Sequence, residues 1–119
     1  MAPRQAMDCR TMEEVRAEID RIDTALVDHI GERFTYVERA WQLKNFPAEA
    51  RVPWRVQQVI DRVRVRAAEN GLPPELCEAL WRQMIGWFIQ YEEEKLSAAQ
   101  KTAVAEPGSI GQEPLSKSP

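Results

Sequence analysis

The amino-acid sequence predicts an all-α protein whose chain folds into a long, a short and a medium helix. Apolar residues recur at spacings of three and four along most of the 119 residues. Prolines and an Asn-Gly pair interrupt this pattern at two places. No segment alternates apolar and polar residues as a half-exposed strand does. These observations place three helices and no strand in the chain.

The first helix is expected to begin at Thr11 and to run to about Asn45. Thr11 and Glu14 have the spacing of a capping box, in which the threonine hydroxyl accepts from a first-turn amide and the glutamate reaches back to the cap. The apolar residues that follow at helical spacing are Met12, Val15, Ile19, Ile22, Leu26, Ile30, Phe34, Val37 and Trp41.

Such a helix is too long for one compact domain of this size to cover. At 1.5 Å per residue it would measure roughly 50 Å, whereas the radius of gyration of a domain of roughly 100 residues is about 13 Å. We therefore expect its apolar stripe to pack against the same helix of a second chain in an intertwined, two-fold homodimer. The alternative is a helix that kinks at Gly31 and folds into a monomeric bundle.

Proline and glycine separate the other two helices. Pro47 and Pro53 exclude a helix interior between them, so the second helix is expected over about residues 54–69, with Gly71 as its left-handed cap. The third helix begins at the Pro-Pro pair that follows and runs to about Ala98. The predicted organisation is a mobile N-terminus, a helical domain and a disordered tail, over residues 1–10, 11–98 and 99–119.

Composition and charge argue against several classes of function. A net charge of −3 is unlike that of a general nucleic-acid binder, which is usually basic. The longest apolar runs are far shorter than the roughly 20 residues that span a bilayer, and "MAPRQAMDCR" has no apolar signal-peptide core. We therefore expect a cytoplasmic protein that binds neither nucleic acid nor membrane. Cys9 and Cys77 match no metal-ligand spacing, and no metal or cofactor is expected.

Several positive charges fall on or beside the apolar side of a predicted helix. Projected at about 100° per residue, Arg33 and Lys44 share the face of Leu26, while Arg16 lies at its edge. A buried, unpaired cation costs several kcal/mol, so each must meet a counter-charge, extend to solvent or line a cavity. If Arg55 of the second helix converges with them, the pocket would suit a small dicarboxylate, because guanidinium binds carboxylate bidentately.

The ordered set of residues resembles a known family. "MEEVRAEIDRIDTALVDHIGERFTYVERAWQLK", a proline-containing loop, an arginine opening the second helix and "QMIGWFIQYEEE" are together similar to the all-helical chorismate mutase family, type II. The sequence is especially similar to that family's isochorismate pyruvate lyase branch, and the resemblance covers about residues 9–96. It implies three-helix chains in an intertwined homodimer, in agreement with the helix lengths.

The resemblance also implies roles for individual residues. Arg16 resembles the arginine that reaches into the partner subunit's active site and binds a substrate carboxylate, and Arg33 resembles the arginine that holds the other carboxylate. Lys44 resembles the lysine that donates to the substrate's ether oxygen, and Arg55 a further cation near the pocket. Glu92 occupies the position at which many members have a glutamine that donates to the same oxygen, and some mutases a glutamate.

Two positions point in opposite directions within the family. Val56 stands where typical mutases have a glutamate that contacts the substrate's ring hydroxyl, and its presence is more like the lyase branch. Glu92 is more like some mutases, and it can donate to the ether oxygen only when it is protonated. Ile89 and Gln83 are weaker candidates for the lining of the pocket.

The activity that the resemblance implies is that of a chorismate mutase. Chorismate rearranges to prephenate as a C–O bond breaks and a C–C bond forms, so the enzyme needs no nucleophile. It acts by orienting the substrate and by stabilising negative charge on the ether oxygen, in the shikimate pathway of aromatic amino acid biosynthesis. The alternative is an isochorismate pyruvate lyase that forms salicylate and pyruvate. A mutase for an amino-substituted chorismate and a non-catalytic helical dimer that binds a protein partner are further alternatives.

Overall fold

The computed structural model describes residues 4–105, which form three α-helices. The helices are α1, Met12–Gln42; α2, Pro53–Glu69; and α3, Pro74–Ala105. Two short 3-10 turns, Ala6–Asp8 and Pro47–Ala50, precede α1 and α2. Residues 4–105 contain no strand, so the predicted all-α fold with three helices is confirmed. The third helix, expected to be of medium length, has 32 residues and is about as long as the first, which has 31. No helix in this range combines the length and apolar character that a membrane span requires.

The start of α1 uses both residues of the expected capping box, with one difference. The Thr11 hydroxyl accepts from the Glu14 N–H at 3.1 Å, as expected. The Glu14 carboxylate accepts from the Arg10 N–H at 2.7 Å, one residue before the predicted cap. That hydrogen bond is the main reason why the pKa of Glu14 lies below its usual value. Together the two contacts explain why the helix begins at Met12.

Part of the apolar stripe of α1 is exposed among the described residues. None of the residues of α1 is buried, and the exposed fractions of Ile19, Ile22, Leu26 and Ile30 are 50%, 46%, 53% and 44%. The chain divides after Tyr36 into two compact units, to both of which α1 contributes. The stripe of the first unit therefore presents an apolar surface along about three turns of helix.

Proline and glycine set the limits of α2 as expected. Pro53 occupies the first turn of the helix, where its missing N–H is not needed. At the other end Gly71 has a φ of 73°, in the left-handed region that glycine adopts at no steric cost. The Gly71 N–H donates to the Ala68 carbonyl at 3.0 Å and the Leu72 N–H to the Ala67 carbonyl at 2.9 Å. This pair of hydrogen bonds is a Schellman motif, which ends α2 and turns the chain into α3.

The core of the second unit lies where α2 and the 3-10 turn at Pro47–Ala50 pack against α3. Its buried apolar residues are Ala50, Ile60, Ala67 and Leu96, with exposed fractions between 0% and 5%. Ile60, in the middle of α2, has no exposed surface at all. The core therefore fixes the loop after α1 against α3, which is the part of the fold that carries the candidate site.

α3 is longer than the sequence analysis predicted. It continues to Ala105, past the expected end at Ala98, so the helix includes the first part of the segment assigned to a disordered tail. Residues 99–105 read "AQKTAVA", and alanine, glutamine and lysine are strong helix formers. The loss of aromatic residues was therefore a poor marker of the helix end. The rest of the predicted tail, residues 106–119, lies outside the described residues.

We expect Ile60→Ala to lower the free energy of unfolding by about 2–5 kcal/mol, because it opens a cavity in the core of the second unit. Urea unfolding at a single protein concentration measures the change. Val65→Ala on the same helix is the control, because Val65 is 61% exposed and its truncation should change stability by about 0.5 kcal/mol or less. Equal losses in the two variants would show that Ile60 is not a core residue.

Candidate active site

The most buried charged contact in the described chain joins Lys44 to Glu92. The Lys44 Nζ lies 2.6 Å from the Glu92 Oε1, so the ammonium donates directly to the carboxylate. The side chains of Lys44 and Glu92 are 25% and 9% exposed. Lys44 follows the end of α1 and Glu92 lies in α3, so the contact joins two segments of the second unit. Lys44 therefore meets its counter-charge within its own chain.

Lys44 reaches this position because α1 ends before it. The helix stops at Gln42, short of the expected end at Asn45, and the next residues form a turn. In that turn the Lys44 N–H donates to the Trp41 carbonyl at 3.1 Å. Lys44 is therefore not on the helical face to which the projection assigned it, and the turn directs its side chain.

The loop that follows is held by a second carboxylate. Glu49 accepts from the backbone N–H groups of Asn45, at 3.2 and 3.3 Å, and of Phe46, at 3.2 Å. Arg51, at the end of the same loop, lies 3.4 Å from the Glu93 Oε2 on α3. The hydrogen bonds to Glu49 satisfy the backbone N–H groups of the two residues after Lys44. They therefore hold the backbone of the turn that carries Lys44.

Another acidic residue, Glu38, forms a hydrogen-bonded cluster between the same two segments as the Lys44–Glu92 ion pair. Its Oε1 accepts from the Trp41 Nε1 at 2.6 Å and its Oε2 accepts from the Tyr91 hydroxyl at 2.7 Å. The hydrogen bond from Tyr91, followed by that from Trp41, lowers the pKa of Glu38. Burial, reinforced by the contact with Glu38, raises the pKa of Tyr91 to about 12. Glu38 therefore acts as an ionised acceptor and Tyr91 as a neutral donor at neutral pH.

Sequence reasoning missed Glu38 and Tyr91 as parts of a polar cluster. The two residues are 53 positions apart, so no helical projection or local motif relates them. In the sequence, Tyr91 belongs to an aromatic-rich stretch of the third helix, which is typical of core packing. Without the packing of one segment against another, nothing in "YVER" marks Glu38 as different from other surface glutamates.

Two arginines of α2, Arg55 and Arg66, contact residues of their own helix. Arg55 is exposed, and its Nη1 donates along its own helix to the Gln58 Oε1 at 2.6 Å. Arg66 forms an exposed ion pair with Glu69 at 3.1 Å. Both arginines use the i, i+3 spacing of a helix surface, which is easier to satisfy than a contact across the fold.

The remaining candidates differ in exposure. Val56 of α2 and Ile89 of α3 are half-buried, whereas Gln83 is exposed. In the first unit, described separately, Arg16 is exposed and Arg33 is half-buried. Among the residues whose side chains are described, no three His, Cys, Asp or Glu residues are grouped as a metal site.

This arrangement can orient and polarise a bound molecule. The Lys44 ammonium is a donor for an anion or an ether oxygen, and Glu92 is an acceptor that becomes a donor when it takes up a proton. Both groups are shielded from water, which strengthens their electrostatic interactions. The chemistry that suits such a pair is stabilisation of charge that develops on an oxygen.

We expect Lys44→Met to destabilise the protein by about 2 kcal/mol, because it leaves the Glu92 carboxylate buried without a counter-charge. In a Glu92→Gln background the same substitution should cost about 1 kcal/mol or less, since no charge remains to be compensated. Urea unfolding of the single and double variants measures this coupling.

The exposed pair Arg66–Glu69 provides the matched control for this double-mutant cycle. Its coupling should not exceed about 0.5 kcal/mol, as for other ion pairs along an exposed helix, whereas that of Lys44 with Glu92 should reach about 1 kcal/mol or more. A cost of Lys44→Met that is the same in both backgrounds would show that the contact with Glu92 does not stabilise the fold.

Comparison with known proteins agrees with the sequence resemblance. The family model for chorismate mutase type II matches residues 15–93, a range that contains every candidate site residue. The chain is also 37% identical over 82 residues to an isochorismate pyruvate lyase from Pseudomonas aeruginosa, a match that covers 69% of this chain and 81% of that protein. With its three helices and no strand in residues 4–105, and with this match over most of its length, the chain belongs to the chorismate mutase type II family.

Proposed function

We propose that the protein is a chorismate mutase, which converts chorismate to prephenate, and that Lys44 and Glu92 act on the ether oxygen of the substrate. The observation that carries the proposal is the shielded contact of 2.6 Å between these two side chains, at the two positions that the family resemblance assigns to that oxygen. The proposal places the enzyme in the cytoplasm, in the shikimate pathway of aromatic amino acid biosynthesis.

The reaction requires orientation and charge stabilisation. Within the substrate, the bond between the ring carbon and the ether oxygen breaks while the terminal methylene carbon of the enolpyruvyl group forms a new bond to the ring. The oxygen stays on the side chain as a ketone, so no atom is exchanged with the protein. Negative charge grows on the ether oxygen as the bond breaks, and the Lys44 ammonium stabilises it. Arg16, Arg33 and Arg55 bind the substrate carboxylates and hold the reactive conformer. Val56 and Ile89 line the pocket.

Glu92 has to change partner for this reaction. In the structure its carboxylate accepts from Lys44, whereas it can donate to an ether oxygen only as the protonated acid. We therefore infer that the bound substrate separates Glu92 from Lys44, so that both side chains face the ether oxygen.

We further propose that the working enzyme is a homodimer in which Arg16 enters the partner subunit's site. The half-exposed stripe of α1 supports this, since Ile19, Ile22, Leu26 and Ile30 would expose 44–53% of their surface in a monomer. A second copy of α1 offers a surface of the same kind and length. Arg16 is exposed on the same helix and can therefore extend from one chain to another.

The second candidate is an isochorismate pyruvate lyase, which releases pyruvate from isochorismate and leaves salicylate. Two observations favour it: the relative that carries this name is 37% identical over 82 residues, and Val56 replaces the glutamate expected of a typical mutase. The same cations would bind the carboxylates of either isomer. A non-catalytic homodimer that binds a protein partner is the candidate from another class.

We expect the purified protein to convert chorismate to prephenate, and Lys44→Ala to lower the rate at least about 100-fold, because it removes the donor to the ether oxygen. Glu92→Gln should retain turnover, since the side-chain amide is already a hydrogen-bond donor and does not have to be protonated first. Chorismate and isochorismate are supplied separately, and prephenate, salicylate and pyruvate are identified by chromatography.

The products decide between the candidates. Salicylate and pyruvate from isochorismate, without prephenate from chorismate, would replace the mutase by the lyase. No product from either substrate, combined with no rise in melting temperature in the presence of a dicarboxylate mimic of the transition state, would favour the binding role, since a ligand of the folded state must stabilise it.

For the homodimer, we expect the inactive variants Arg16→Ala and Arg33→Ala to restore activity when they are unfolded and refolded together. Half of the dimers would be mixed, and one of the two sites in each would contain both arginines, so activity should recover to about a quarter of the wild-type value. A mixture whose mixed dimers are verified by mass spectrometry yet stay inactive would show that Arg16 serves its own chain.

A further inference from the structure

Glu38 is not among the residues that the family resemblance assigns to the reaction, yet both of its carboxylate oxygens are engaged. One accepts from the Trp41 indole at 2.6 Å and the other from the Tyr91 hydroxyl at 2.7 Å. The three side chains are half-buried, and they connect the last turns of α1 to α3. Ordering the glutamate side chain for two such contacts costs conformational entropy. The contacts therefore have to offset this cost.

The cluster of Glu38, Trp41 and Tyr91 is attached to both members of the ion pair. The backbone carbonyl of Trp41 accepts from the Lys44 N–H at 3.1 Å. Tyr91 directly precedes Glu92 in α3. The contacts Lys44–Glu92 and Glu38–Tyr91 therefore cross between the same two segments of the second unit. The two contacts are therefore parallel links between the same segments.

Glu38 and Tyr91 keep their roles as acceptor and donor around neutral pH. Its hydrogen bonds hold the pKa of Glu38 below the usual value, and the pKa of Tyr91 is raised to about 12. Tyr91 donates and Glu38 accepts at every pH at which an enzyme of this kind works. The Tyr91 ring is held as well, since it stacks on the Trp87 ring with centroids 5.7 Å apart and the Lys95 ammonium lies 5.5 Å from its centroid.

We propose that Glu38 is a positioning residue, which holds the turn that carries Lys44 at a set distance from Glu92 through its hydrogen bonds to Trp41 and Tyr91. This inference rests on the proposed function of Lys44 and Glu92. When substrate separates those two side chains, their direct contact no longer joins α1 to α3, and the contact between Glu38 and Tyr91 persists. Catalytic groups misplaced by about 1 Å lose about 100-fold in rate, so a link of this kind controls turnover without touching substrate.

The first test is a comparison of Tyr91→Phe, which removes only the donor hydroxyl, with Glu38→Gln. We expect each to lower kcat about 10-fold or more and to change KM by about 3-fold or less, because substrate-binding arginines are not altered. The double variant should be no slower than the more affected single variant, since the contact is already lost. Circular dichroism at the assay temperature verifies that each protein is folded.

Matched controls separate positioning from a general loss of stability. Tyr36→Phe makes the same change at a tyrosine that is 70% exposed, and Glu69→Gln neutralises an exposed carboxylate at the end of α2. Both should keep the wild-type kcat. Unchanged kcat values in Tyr91→Phe and Glu38→Gln, with melting temperature alone lowered, would overturn the proposal and leave the cluster a purely structural role.

A second readout does not depend on any activity. The coupling between Lys44 and Glu92, measured by unfolding of Lys44→Met, Glu92→Gln and the double variant, should lose most of its value in a Tyr91→Phe background. If the wild-type protein turns over neither chorismate nor isochorismate, the proposed function fails while this cycle still decides the positioning role. A coupling that is the same in both backgrounds would overturn that role.

Discussion

A carboxylate that is almost entirely removed from water has to be compensated within the fold, and in this protein a single ammonium group compensates it. Glu92 is 7% exposed, and the desolvation of an unpaired carboxylate would cost several kcal/mol. Lys44 supplies the opposite charge at 2.6 Å from a position beyond the end of α1. The end of that helix, the loop held by Glu49 and the packing of the core on α3 are therefore linked, because each of them determines where this ammonium lies.

The local features of the fold could be predicted from sequence, and the features that depend on contact between segments could not. Helical spacing and the prolines placed three helices correctly, and Gly71 ended α2 as expected. α1 stops at Gln42, earlier than predicted, and this changes the meaning of the helical projection, since Lys44 follows a turn rather than a continuous helix. The projection singled out Lys44 because it placed this residue on the apolar face of a continuous helix, and α1 ends before Lys44. The family resemblance identified the same residue by its position in the ordered sequence motif.

The arginines of α2 are a second example of what a helical projection cannot predict. Arg55 and Arg66 contact partners on their own helix, Gln58 and Glu69. A helical projection can say which side chains share a face, but it cannot say which of several available partners a long side chain chooses. Glu38 is the opposite case, because its two partners become available only when α3 is placed beside the end of α1. Residues of this kind connect a site to its fold, and no pattern within one helix distinguishes them.

The Schellman motif at the end of α2 has a consequence for the chemical lifetime of the chain. Asn-Gly sequences are prone to deamidation, in which the glycine nitrogen attacks the asparagine side-chain carbonyl to form a succinimide. Here the Gly71 nitrogen is engaged with the Ala68 carbonyl at 3.0 Å, and the Asn70 amide donates to the Arg66 carbonyl at 2.9 Å. The nucleophile and its target are thus held in a geometry that has to open before cyclisation. The rate of deamidation at Asn70 therefore depends on how often the last turn of α2 opens.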